Sequence, residues 1–256
     1  MYPYTISFIV PALNEEKVVG KFIDQVIGKT AGQFEAFEII LVNDGSADST
    51  GTVMEDAARR HANIRVLHNP QNTGFGSAFQ RGLSEARFEY VMLLCGDGGF
   101  PAASLPPVFQ MIGSADMVVP WMVNLRELKT RSRYLLSRIY TIALNLMFGL
   151  RLHYYNGLAV HRRELLEKMH ITSNGFGFQA EMLIKLIKSG YTFVEVGVHG
   201  ANGKGRSFAM RLDNWLSVGR TVLHLVKEAK PALPKPDTPP ASRATGKPFE
   251  QPAQDK

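Results

Sequence analysis

The chain has 256 residues, 45% of them apolar, which is enough for a substantial core in one large domain or a domain with an appendage. A single cysteine, Cys95, excludes an internal disulfide framework and fits a reducing compartment, while a formal charge of +6 asks for an anionic partner: a phosphate-bearing substrate, a membrane surface or nucleic acid. Residues 1–10 lack a basic segment followed by an apolar run, and the longest apolar stretch, Tyr134 to Leu150, is 17 residues and carries Arg138, so neither a secretory signal nor a spanning helix is expected.

In chain order, Ile6–Val10 reads as a strand that ends in Pro11-Ala12-Leu13-Asn14-Glu15-Glu16, and Glu15–Ile27 as a helix. Phe37–Val42 is a second strand, followed by Asn43-Asp44-Gly45-Ser46-Ala47-Asp48 and a helix over Ser49–His61. Asn14 and Ser49 are the expected helix caps. Ile64–His68 is a strand, Gly76–Ala86 a helix and Tyr90–Leu94 a buried strand, with Met117–Pro120 a further short one. Such alternation predicts a mainly parallel sheet with helices on both faces. In such sheets ligands bind beyond the carboxyl ends of the strands, where Asp44 can accept hydrogen bonds from a base or ribose. Between Arg126 and Arg138, five basic residues (Arg126, Lys129, Arg131, Arg133, Arg138) are opposed only by Glu127, and they run into the apolar Tyr134–Leu150 helix. Mixed α/β returns with a helix near Gln179–Ser189 and a strand near Thr192–Val198, then an amphipathic helix over Leu212–Glu228. Residues 230–256 hold half of the fourteen prolines and are expected to be disordered.

Four stretches resemble family 2 glycosyltransferases. Pro11-x-x-Asn14-Glu15 and Asp44-Gly45-Ser46-x-Asp48-x-Thr50 match the signatures P-x-x-N-E and D-D-G-S-x-D-x-T, and Asn72-x-Gly74-x-Gly76 begins a block similar to N-x-G-x-x-x-A-x-x-x-G. Taken alone, the glycine-rich turn reads as an ordinary strand-to-helix connection whose amides can face an anion. Gly175-Phe176-Gly177-Phe178-Gln179-Ala180-Glu181 resembles G-F-x-F-x-x-E, which implies that Glu181 lies near the sugar. The resemblance implies a GT-A fold, a Rossmann-like α/β sandwich, with Pro11, Asn14, Glu15, Asp44, Ser46, Asn72, Gly74 and Gly76 around a nucleotide sugar.

The family's D-x-D metal-binding strand end appears here as Cys95-Gly96-Asp97. A thiol is a poor ligand for Mg²⁺ or Mn²⁺, so the resemblance implies a divalent cation held through Asp97 while the departure at Cys95 argues for weaker dependence on it. Arg133-x-x-x-Ser137 is similar to the R-x-x-x-S pair of relatives that use polyisoprenyl phosphate; a spacing of i, i+4 places both on one helix face. The apolar residues that follow suit a membrane interface, whereas the plain reading is a solvated basic run leading into a core helix. Asn202-Gly203-Lys204-Gly205-Arg206-Ser207 resembles a loop that closes on the diphosphate, with Asn202 in the Arg position and Lys204, Arg206 and Ser207 retained nearby. Met122 replaces the Arg of a G-S-R strand end, for which Arg126 is the nearest substitute.

The resemblance is closest to the dolichyl-phosphate mannose synthase-like branch. It implies inverting transfer of a glycosyl group from a UDP- or GDP-sugar to a polyisoprenyl phosphate, by a domain over residues 1–229. That domain divides into a nucleotide-binding part to about residue 122 and an acceptor-side part beyond it. A cytoplasmic protein, peripheral on the membrane through residues 126–150, is expected. Two alternatives stand beside it: transfer to a sugar hydroxyl with Glu181 as base, and a nucleotide-sugar-binding protein without turnover. Nucleic acid is disfavoured, because the basic residues lie beside an apolar helix rather than among exposed aromatics.

Overall fold

The computed structural model describes residues 1–201. Seven strands form one sheet in the order β3-β2-β1-β4-β6-β5-β7. They are β1 (Tyr2–Ala12), β2 (Phe34–Asn43), β3 (Ile64–His68), β4 (Tyr90–Leu93), β5 (Met117–Met122), β6 (Val160–Arg162) and β7 (Phe193–Val198). β1, β2, β3 and β4 pair in parallel, β5 pairs in parallel with β7, and β6 runs antiparallel between β4 and β5. The mainly parallel α/β expectation holds, and the GT-A architecture with it. Parallel strands covered on both faces read as continuous apolar runs, and Ile39, Ile40, Leu41 and Val42 of β2 are each fully buried.

The helices are α1 (Val19–Thr30), α2 (Thr50–Arg60), α3 (Phe75–Glu85), α4 (Leu105–Phe109), α5 (Leu125–Leu128), α6 (Arg131–Phe148), α7 (Arg163–Glu167) and α8 (Phe178–Lys188). One apolar core joins the sheet to α1, α2, α3 and α8 through residues such as Phe22, Met54, Phe79 and Phe178. Successive connections leave β1 on opposite sides, toward β2 and toward β4, so the switch point of the sheet lies between the carboxyl ends of β1 and β4.

Neither expected cap is made. The first helix starts at Val19 rather than Glu15, because Asn14 adopts φ +57° and residues 14–16 are tied into the 46–50 loop instead of winding. Ser49 stands at the N-cap of α2 without a side-chain cap; Asp48 takes that role, its Oδ1 accepting from the Thr50 amide at 2.9 Å and from the Thr50 hydroxyl at 2.5 Å. Helix α6 begins three residues before Tyr134 and stops at Gly149, whose φ of +65° reverses the chain. The Leu212–Glu228 helix, the 230–256 tail and the loop bearing Lys204, Arg206 and Ser207 lie outside the described residues.

Candidate active site at the carboxyl ends of the strands

Two loops meet above β1 and β2. The Asn14 amide donates to Ser46 Oγ at 3.0 Å, and Asn14 Oδ1 accepts from the Ala47 amide at 2.8 Å. The Glu15 amide donates to Thr50 Oγ1 at 2.8 Å, and Glu16 Oε2 accepts from the Ser49 amide at 3.0 Å. An asparagine is one of the few residues that tolerates a left-handed backbone, and here that turn lets its amide and side chain face the same loop. Pro11 is buried in β1, where its carbonyl accepts from the Gly96 amide at 3.3 Å and so joins this floor to the end of β4.

Asp44 organises the third loop. Its Oδ1 accepts from Asn69 Nδ2, the Thr73 amide and Thr73 Oγ1 at 2.7–2.9 Å, and its Oδ2 accepts from the Gly74 amide at 3.1 Å. The residue is 4% exposed. Oδ1 is thus filled by the protein, while Oδ2 carries one donor and keeps a lone pair. Asn72 adds a second bond to the Gly74 amide through its Oδ1, at 2.9 Å. Gly45, at φ +72°, fits only as glycine, because a Cβ would fall 2.4 Å from the backbone carbon of Gln71.

The start of α3 is held from above by residues 173–174. The Gly76 amide donates to the Asn174 carbonyl at 2.9 Å, and a Cβ on Gly76 would lie 2.5 Å from the Ser173 carbonyl oxygen. That segment is in turn fixed by Glu181. Its Oε1 accepts from the Thr172 amide and hydroxyl and from Lys185 Nζ at 2.6–2.9 Å, and its Oε2 from the Ser173 amide at 2.9 Å. Burial opposes ionisation, but the Lys185 and Thr172 donors outweigh it and hold the carboxyl below its ordinary range. Glu181 has no exposed surface. The expectation that it faces substrate is therefore corrected: it acts on the site through the 172–174 backbone, and a hydroxyl-acceptor reaction loses the base that the sequence nominated.

At the switch point Glu15, from the end of β1, approaches Asp97, from the end of β4. Burial, then the charges of Asp97 and Asp48, push the Glu15 carboxyl up to about 7. Asp97 Oδ1 accepts from the Gly99 amide at 2.9 Å, and its Oδ2 has no partner among the described residues. Half-buried Cys95 lies in the same neighbourhood, where burial and the charges of Asp97 and Glu15 push its thiol well above the ordinary range and keep it protonated. Among the described residues no three His, Cys, Asp or Glu side chains form a metal-binding group. The donor set therefore fits a cation that takes one carboxylate from the protein and the remainder from a diphosphate and water. It does not fit a dedicated all-protein cage.

On the other side of the sheet α6 presents two opposed faces. At about 100° per residue, Arg133, Ser137, Thr141, Leu144 and Phe148 share one side, and Thr141, Leu144 and Phe148 of this set are buried. Leu135, Ile139, Ile142 and Leu146 lie opposite, with 48–79% exposure from Ile142 to Leu146. Arg133 and Ser137 therefore continue the inward stripe, as the sequence spacing places them. Lys129, which the sequence offered only as one of five cations, reaches Ser137 Oγ at 3.3 Å and the hydroxyl of Tyr154 at 3.1 Å. Arg126, the suggested substitute for Met122, is exposed instead. Tyr154 carried no sequence signal, since 25 residues separate it from Lys129. Behind it, Trp121 stacks on His153 at 4.5 Å, and Glu195 holds that histidine through its amide and ring at 2.8 Å. Glu195 thus anchors the loop that carries His153.

A Rossmann-like sheet with a glycine-rich turn and acidic strand ends at its switch point defines the nucleotide-binding class of α/β protein with a GT-A fold. The chain belongs to glycosyl transferase family 2, whose model matches residues 7–170. A dolichyl-phosphate beta-glucosyltransferase of Trichomonas vaginalis is 40% identical over 98 residues, 36% of this chain and 30% of that protein. An undecaprenyl-phosphate mannosyltransferase of Micrococcus luteus is 26% identical over 204 residues, 74% of this chain and 81% of the relative. The match thus spans less than a third of the Trichomonas protein but most of the Micrococcus one. Among solved structures, glucosyl-3-phosphoglycerate synthase from Mycobacterium tuberculosis, in complex with Mg²⁺ and UDP, superposes with a TM-score of 0.67 at 22% identity. That likeness covers 88% of this chain and 80% of the other, and it establishes the shared fold.

Proposed function

We propose that this chain transfers a glycosyl group, with inversion, from a UDP- or GDP-sugar to a polyisoprenyl phosphate. The observation that carries the reading is α6, which turns Arg133 and Ser137 inward and an apolar stripe outward on one helix. A lipid phosphate needs both surfaces at once: forked or hydroxyl donors for its head and an apolar path for its chain. The polyprenyl- and dolichyl-phosphate transferases among the relatives support the same acceptor class.

On this reading Pro11, Asn14, Glu15 and Ser46 form the floor of the nucleotide-sugar site, and Asn72, Gly74 and Gly76 its glycine-rich wall. The free lone pair of Asp44 Oδ2 takes a donor of the base or ribose. Asp97 would hold a divalent cation, which when bound offsets the charge of the leaving diphosphate. Arg133 and Ser137 hold the acceptor phosphate in line with the anomeric carbon. A phosphate oxygen is already ionised at neutral pH, so the attack needs no general base, in keeping with the sealed position of Glu181. Lys204, Arg206 and Ser207 are assigned to the diphosphate on their sequence pattern alone. The apolar stripe of α6 sets the protein against the membrane surface; among the described residues no helix is long and apolar enough to cross a membrane.

The test is purified protein with a panel of UDP- and GDP-sugars and a short polyprenyl phosphate, with and without Mn²⁺. Product that requires the lipid phosphate and is lost in Arg133→Ala is the expected result. Donor hydrolysis without lipid product, or transfer to a sugar hydroxyl instead, would overturn the reading.

A further inference from the structure

The basic segment before and within α6 is unbalanced. Arg126, Lys129, Arg131, Arg133 and Arg138 form no ion pair with a carboxylate among the described residues, so a cluster of positive charge stands without a counter-ion. Among the described residues, only one of the five cations is built into a specific polar arrangement. Lys129, in the turn between α5 and α6, donates from Nζ to Ser137 Oγ at 3.3 Å and to the Tyr154 hydroxyl at 3.1 Å. Its ammonium also lies 5.2 Å from the centroid of the Tyr154 ring.

The direction of these bonds matters. An ammonium only donates, so both hydroxyls serve it as acceptors, and each must turn its own proton elsewhere. Neither the Ser137 nor the Tyr154 hydroxyl has an acceptor of its own among the described residues. The third ammonium proton is also without one. Two O–H donors and one N⁺–H donor thus gather around a single positive charge. Lys129, Ser137 and Tyr154 are each only partly buried, so an incoming anion can reach them, and a tetrahedral oxyanion can accept from all three.

We propose that Lys129 and Tyr154 join Ser137 as the phosphate-holding residues of the acceptor site, Lys129 supplying the cation that Met122 does not. The inference rests on the lipid-phosphate reading above and goes beyond it in naming two residues outside the R-x-x-x-S pattern. It also explains how the site keeps a second charge beside Arg133 although β5 ends in methionine. Met122, at that strand end, can make no hydrogen bond to a phosphate, whereas Lys129 reaches the face of α6 that carries Ser137.

The test uses the full chain and a short polyprenyl phosphate beside the corresponding polyprenol, in equilibrium binding and in transfer assays. Lys129→Met should raise KM for the lipid phosphate by roughly ten- to a hundred-fold, the loss of a charge-assisted hydrogen bond. KM for the nucleotide sugar should stay within about twofold. Tyr154→Phe keeps the ring and removes one donor, so a smaller increase of roughly three- to tenfold is expected. Lys129→Arg should restore most of the affinity, and Lys129→Met should narrow the preference for the phosphate over the alcohol by the same factor, Arg133 keeping the remainder. Thermal unfolding of each variant checks folding, with Lys129→Gln the replacement if the Met variant is unstable. If the wild type transfers to lipid phosphate and Lys129→Met leaves its KM unchanged, the inference is wrong and the function stands. If the wild type does not prefer the phosphate to the alcohol, the inference falls with the function.

Discussion

Glu181→Gln separates a positioning carboxylate from a catalytic one. The side chain is fully buried and receives four donors, one of them the Lys185 ammonium at 2.6 Å. The amide keeps the shape but removes the charge, so Lys185 loses its carboxylate in a site where it is itself only 8% exposed. Breaking one side of a buried ion pair costs about 3–5 kcal/mol, a large share of the roughly 5–15 kcal/mol that holds a domain together. At about 2–4 °C per kcal/mol for a domain of this size, Tm should fall by roughly 6–20 °C. Urea and thermal unfolding at pH 7 measure the loss, and turnover per folded molecule is compared in the cold. The pH dependence follows from the depressed carboxyl. Its contribution is complete above the ordinary value of 4.5 and is lost as pH falls through the lower folded value. The gap between wild type and variant should therefore narrow in acid. A Tm loss below about 2 °C with turnover abolished in fully folded protein would refute the argument and return Glu181 to the chemistry.

Gly45→Ala should destabilise the protein by roughly 2–4 kcal/mol, the sum of a left-handed backbone and a forced shift of residues 71–72, read by denaturant unfolding. Cys95→Asp restores the second carboxylate beside Asp97. It should tighten Mn²⁺ binding in the presence of UDP, measured by electron paramagnetic resonance, and lower Tm in the absence of cation. Unchanged Mn²⁺ affinity would remove Asp97 from the cation side of the site. The double variant Ile139→Glu and Leu146→Glu places charges on the exposed stripe and should abolish flotation with anionic liposomes while leaving Tm nearly unchanged. Wild-type protein that does not float at low salt would count against the membrane role of α6.

The sheet was legible because its strands are covered on both faces, so residues 39–42 of β2 and the whole of β4 read as unbroken apolar runs rather than as alternating ones. The glycines at 45, 74 and 76 marked the ligand end for a related reason: each sits where backbone or a neighbouring loop leaves no room for a Cβ. Helix boundaries were less legible. Asn14 reads as a cap, yet its side chain and amide are taken by the 46–47 loop, a competition that local sequence does not display. Strand β6 has only three residues, too few for any period to register. The roles of Glu181 and Lys129 were hidden for a third reason. Glu181 is surrounded by donors eight and nine residues upstream, and Lys129 by hydroxyls eight and twenty-five residues downstream. Those neighbours come together only through turns outside any motif.

The two departures from the family pattern, Cys95 and Met122, acquire a common sense when charge is followed across the site. Each removes an ionic group from a strand end. At the end of β4, burial and then the charges of Asp97 and Asp48 push the Glu15 carboxyl up to about 7. A carboxylate at position 95 would deepen that repulsion, while the neutral thiol leaves the pocket less hostile to an incoming diphosphate. On the proposed reading, the cation missing at the end of β5 is supplied by Lys129 in the turn before α6, which reaches Ser137 Oγ. The sheet thus keeps the geometry of the site, and the helical side carries more of its positive charge. Charge held on protein side chains is present before the donor arrives, whereas charge carried by a cation enters with the nucleotide. On the proposed reading, acceptor binding should consequently depend steeply on ionic strength even without a divalent cation. Donor binding should be the step at which Mn²⁺ matters. Titrating salt and Mn²⁺ separately against the KM of each substrate distinguishes these two dependences, and equal sensitivity of both constants to both variables would refute the division.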